Sequence, residues 1–107
     1  MRGALLTAMT GTSNQIELAE QIRPQVNAEF DRVANAFREV ARTQLDGPRT
    51  TTNKVLEILE EKRCEVMARP EAGYFIRDWR ELGGQVRSMI AQDPRYQAIQ
   101  AARQGKA

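Results

Sequence analysis

Two sets of large apolar residues recur at heptad spacing along the chain. Val26, Phe30, Val33, Phe37 and Val40 step by four and three residues in turn, and Phe75, Trp79, Leu82, Val86 and Met89 repeat the same steps. On an α-helix this spacing puts five bulky side chains on one narrow face, which must be buried against another helix of this chain or of a second copy. No segment shows the two-residue alternation of a half-buried strand. The pattern predicts an all-α protein.

Breaks in the period set the element boundaries. Residues 1–12 have no period and contain Gly3, Gly11 and three threonines, which predicts a flexible N-terminal arm. Thr12 and Gln15 have the spacing of a capping box, in which two side chains satisfy free backbone N–H groups at a helix start. A short helical segment should cover 13–22, with Ile16, Leu18, Ala19 and Ile22 as its apolar members. Pro24 then removes one hydrogen bond and crowds the preceding turn at a cost of about 3 kcal/mol, so the chain is expected to bend or restart there.

The first stripe predicts a helix over 24–45, about 33 Å long. Leu45-Asp46-Gly47-Pro48-Arg49 should end it, with Gly47 as a left-handed C-cap and Pro48 unable to continue. A second helix over 53–68 carries Val55, Leu56, Ile58, Leu59, Val66 and Met67, but Lys62 and Arg63 stand where the next turn should be apolar. The second stripe predicts a helix over 73–91 with Gly83 and Gly84 inside it, where Gly83 borders the stripe and suits a close approach by another helix. Asp93-Pro94 reads as an N-cap and first helical residue opening a short segment over 94–103. Together these elements predict a small antiparallel bundle of three main helices with a short segment at each end. A single domain would span 13–104, followed by a frayed tail at 105–107. The two complete stripes should face each other or their copies, with the interrupted middle helix peripheral.

Composition narrows the function classes. The 107 residues carry 16 Lys and Arg against 14 Asp and Glu, a net charge of +2 that creates only a weak field. The basic excess lies in 66–107, where Arg69, Arg77, Arg80, Arg87, Arg95, Arg103 and Lys106 face four acidic residues. A single cysteine, Cys64, excludes an intramolecular disulfide and fits a reducing compartment. The first residues lack the apolar run of a signal peptide, and no window has the roughly 18 apolar residues of a membrane span. The expectation is a cytoplasmic protein with no membrane association.

Catalytic chemistry has little to work with. The chain has no histidine, the commonest general base and metal ligand, and one cysteine cannot form a metal knuckle. Cys64 falls about 180° from the apolar stripe of its helix, as an exposed thiol would. Glu57, Glu60, Glu61 and Glu65 lie among Lys54, Lys62, Arg63 and Arg69, which reads as an ion-paired surface. The expectation is a protein that is not an enzyme, with no cofactor and no metal. The ten stripe residues become candidates for helix packing or for an oligomer interface, and the function is a non-catalytic helical interaction or assembly module, self-associating as a homodimer. The alternative is a small nucleic-acid-associated protein using 69–106, with Arg77, Arg80 and Arg87 within about 80° of one another as phosphate contacts.

Overall fold

The computed structural model describes residues 8–105, with side chains as far as Arg103. Positions 1–7 of the expected arm and 106–107 of the expected tail lie outside the described residues. The chain is all-α: α1 (Ser13–Thr43), α2 (Asp46–Met67), α3 (Ala72–Asp78), α4 (Leu82–Ala91) and α5 (Pro94–Gly105). Two long helices and three short ones thus replace the expected bundle of three main helices.

The capping box forms at the start of α1, where Gln15 N donates to Thr12 Oγ1 at 3.2 Å and Thr12 N donates to Gln15 Oε1 at 2.9 Å. Just before it the chain is fastened rather than loose. Thr10 N donates to Pro70 O at 2.8 Å, and Ala72 N donates to Thr10 O at 2.9 Å, tying the last residues of the expected arm to the turn before α3.

Pro24 does not divide the first helix. The expected segments 13–22 and 24–45 are one helix of 31 residues with Pro24 inside it. Pro24 itself is exposed, while Ala19 precedes it and Val26 and Phe30 follow it in the same buried cluster. Burying these side chains requires one continuous helical face, and that tertiary gain exceeds the local cost of the proline.

The second boundary also moves. Leu45-Asp46-Gly47-Pro48-Arg49 starts α2 instead of separating it from α1, so the connection shrinks to Gln44 and Leu45. Pro48 is harmless there, because first-turn N–H groups have no partner inside a helix. Gly47 does not take the left-handed conformation; Gly11, at φ 142°, alone does so among the described residues. Arg49 ends α1 in its place. Its Nε donates to Ala41 O at 3.0 Å and its Nη2 to Gln44 O at 2.8 Å.

The expected helix over 73–91 is two helices. Trp79, at φ −119° and ψ 43°, leaves the helical path, and α4 resumes at Leu82. The reason is the indole, which is 3% exposed and packs on Phe30 with ring centroids 5.8 Å apart. Gln85 Nε2 donates across the break to Asp78 O. Gly83 and Gly84 therefore occupy the first turn of α4, and an added Cβ at either would meet nothing within 4 Å. Among the described residues no backbone packs against the Cα of Gly83, and the contact from α1 there is the Arg32 side chain, which donates to Gly83 O.

Side-chain pairs give the topology. Arg63 meets Asp31, Arg38 meets Glu60, and Thr52 meets Gln44, so α2 runs back along α1. Trp79 meets Phe30, Arg32 reaches Gly83 O, and Arg87 lies over Phe37, so α3 and α4 follow α1 in the same direction. Asp93 meets Lys62, and Ala102 borders a groove with Thr51, so α5 returns antiparallel to α2. The middle helix is central. It supplies Val55, Ile58, Leu59 and Val66 to the core and packs against α1, α4 and α5.

Candidate interaction surface

Most of the stripe residues are enclosed by the chain itself. Val26, Phe30 and Val33 on α1 are fully buried, Phe37 is half-buried against the same cluster, and Val40 at the end is 49% exposed. From the second stripe Phe75, Trp79 and Val86 are buried, and Leu82 and Met89 are half-buried on the same core. Both stripes contribute to one intramolecular core, with Val40 as the part that reaches solvent.

Lys62 and Arg63 follow from the same packing. Arg63 Nη1 lies 2.7 Å from Asp31 Oδ1 and donates to Asn27 Oδ1 at 3.0 Å, while its guanidinium carbon stands 5.9 Å from the Phe30 ring centroid. The side chain thus covers an aromatic face and carries its charge out to Asp31 on α1 and Glu60 on its own helix. Lys62 reaches across to Asp93, which is 4% exposed and also accepts from Arg95. Arg95 in turn pairs with Glu61 at 2.8 Å. Hydrogen bonds from Arg95 and Lys62 hold the Asp93 carboxyl well below the usual carboxylate range, against an opposing contribution from burial.

The three candidate phosphate-contacting arginines do not share one open face. Arg87 is laid over Phe37, 5.7 Å from its centroid. Arg77 and Arg80 border a shallow hollow together with Asp78 and Glu81. The break at Trp79 removes the single helical wheel on which their spacing was reckoned. Among the described residues no group of three or more Cys, Asp or Glu side chains is gathered to hold a metal ion. Cys64 is exposed beside Glu60, Glu61 and Glu65, on a hollow formed by α2 alone.

Two hollows lie between α2 and α5 and share Lys54 and Ile99; one is lined also by Glu57, Glu61 and Arg95, and the other has no acidic side chain in its lining. The second is an open groove of about 440 Å³, floored by Pro48, Thr51, Ile99 and Ala102 and flanked by Lys54 and Arg103. Its apolar floor exists because α5 is incompletely covered: Tyr96 and Ile99 are half-buried, and Ala98, Ala101 and Ala102 are exposed. Two residues before Gly47, which also lines the groove, Leu45 is 81% exposed, the most exposed of the large apolar side chains described.

The chain matches no protein-family model, no curated protein and no solved structure. Its functional reading rests on this surface alone. Neither Leu45 nor the groove was singled out from sequence. Leu45 reads from sequence as the last residue of a helix over 24–45, and its place in a two-residue connector follows only from the early start of α2. The groove leaves no signal in the sequence, because it depends on how α5 lies against α2.

Proposed function

We propose that this chain is a non-catalytic helical interaction module that associates with a second copy of itself. The observation that supports it is the uncovered apolar floor between α2 and α5, with Leu45, two residues before its first lining residue, left 81% exposed. An apolar concavity rimmed by charge is the form taken by helix-lined protein contact sites. No assembly of nucleophile, base and orienting group accompanies it among the described residues, so the reading is one of binding rather than turnover.

Self-association here does not call on the heptad stripes, which are engaged inside the monomer. It calls on the start of α2, which leaves α1 through Gln44 and Leu45 and lines a groove with α5. The competing reading, nucleic-acid binding through Arg77, Arg80 and Arg87, draws no support from their placement over Phe37 and beside Asp78 and Glu81. Light scattering after size exclusion, from micromolar to near-millimolar protein, tests the proposal. A mass rising towards twice that of one chain is the expected result, and a constant single-chain mass would overturn it. The 260/280 absorbance ratio of the same fractions reads the competing hypothesis, which requires copurifying nucleic acid and steep salt dependence.

A further inference from the structure

We propose that the α1–α2 corner is a self-complementary contact: Leu45 of one copy seats in the α2–α5 groove of another, its Asp46 meets Lys54 and Arg103 there, and the second copy does the same in return. The proposal deepens the self-association reading and rests on it. It adds the surface, the anchor and the symmetry.

The anchor is exposed and held in place. Leu45 is 81% exposed, yet the corner around it is fixed by the two bonds from Arg49 to Ala41 O and Gln44 O. Thr52 Oγ1 adds a third fastening to Gln44 Oε1 at 2.7 Å. These bonds hold the backbone of the corner in place, so docking has little backbone freedom to remove there.

The receiving groove is complementary in shape and charge. Its floor of Pro48, Thr51, Ile99 and Ala102 offers small or branched apolar surface to a branched aliphatic side chain. No acidic side chain lines it, and Lys54 has no ion-pair partner among the described residues. Among the described residues Arg103 is engaged only with the neutral Gln100, at 3.3 Å. Asp46, directly after Leu45, is likewise exposed and has no ion-pair partner among the described residues. An apolar anchor followed by a carboxylate suits an apolar floor flanked by two cations.

Symmetry favours a second copy over an unrelated partner. Leu45 and Asp46 immediately precede Gly47 and Pro48, which border the groove, so anchor and receiver belong to one patch. A two-fold axis through that patch satisfies both halves at once, as closed isologous contacts do. The contact is small, so the expected association is weak and concentration-dependent, with an electrostatic part that salt reduces.

The test compares the full-length protein with four variants by sedimentation equilibrium up to near-millimolar concentration, with circular dichroism confirming that each stays helical. Leu45→Ser removes the anchor and Ala102→Gln obstructs the groove; each is expected to weaken dimerisation at least tenfold. Lys54→Glu is expected to weaken it, and Asp46→Lys added to Lys54→Glu to restore it in part. Dimerisation of Leu45→Ser and Ala102→Gln as tight as that of the unaltered chain would overturn this contact while leaving self-association standing. An unaltered chain that stays at single-chain mass throughout would overturn both readings.

Discussion

Lys62 Nζ lies 2.9 Å from Asp93 Oδ2, joining the C-terminal part of α2 to the residue that opens α5. Asp93 also accepts from the Arg95 backbone N–H at 2.8 Å, so one carboxylate caps a helix and anchors it to its neighbour. Because α5 contributes no fully buried side chain from Pro94 to Arg103, this ionic joint is a main fastening of that helix.

The joint should be sensitive to acid. The Asp93 carboxyl is held below its ordinary value, chiefly by the Arg95 hydrogen bond and then by Lys62. A carboxyl depressed in the folded state stabilises it above the unfolded pKa of about 3.9 and loses that contribution as pH falls through the folded value. Stability attributable to Asp93 is therefore constant near neutrality and declines below about pH 4. Urea unfolding of the unaltered chain and of Asp93→Asn at pH 7, 4, 3 and 2 checks this. The variant should be weaker by about 1–3 kcal/mol at pH 7 and should show a flatter loss in acid. Parallel pH profiles would show that Asp93 carries none of the acid sensitivity.

Replacing Pro24 should strengthen the molecule. The residue is exposed inside a continuous helix, so Pro24→Ala returns one backbone N–H to the ladder without disturbing packing. The expected gain is about 1–3 kcal/mol, read as a higher thermal midpoint. A loss of stability on this substitution would mean instead that α1 depends on a bend at Pro24.

The starts of α1 and α4 offer an opposed pair of glycine substitutions. Gly84→Ala adds a Cβ into open space at a helical position and is expected to stabilise by about 0.4–1 kcal/mol, mainly by restricting the unfolded chain. Gly11→Ala should do the reverse. Gly11 has φ 142°, and its added Cβ would lie 2.9 Å from Gln15 Oε1 and 3.2 Å from the Ala72 Cβ, in the strap that ties the chain to α3. Thermal midpoints moving in the same direction for both variants would contradict this account.

Local chemistry was legible in the sequence wherever a side chain acts on its own turn. The Thr12–Gln15 capping box and the Asp93–Pro94 helix start both depend on neighbours within three residues, and the structure forms them. Pro24 and Trp79 were misleading because a distant partner decides them. The shared core beneath Val26 and Phe30 carries α1 through its proline, and the Phe30 ring draws Trp79 off a helical path that heptad spacing had extended to residue 91. Pro48 was ambiguous in principle, since a proline is equally at home after one helix and in the first turn of the next. Along α2, Lys62 and Arg63 look like a gap in a stripe because their acids, Asp93 and Asp31, lie about thirty residues away on other elements.

Arg63 provides the sharpest test of that last point. Its side chain is 17% exposed and combines two roles: a stem and guanidinium over Phe30, and an ion pair with Asp31, whose own side chain is 54% exposed. An exposed acid contributes little as a charge, so the Arg63–Asp31 coupling in a double-mutant cycle should be only about 0.2–1 kcal/mol and should shrink in high salt. The packing role should be larger. Arg63→Met keeps an unbranched stem over the ring, whereas Arg63→Ala strips the cover from Phe30 and opens the α1–α2 seam. Urea midpoints should therefore rank the unaltered chain and Arg63→Met close together, with Arg63→Ala well below both. If Arg63→Met falls as far as Arg63→Ala, charge rather than cover is what places an arginine in this seam, and the coupling to Asp31 would have to exceed the range expected for an exposed pair.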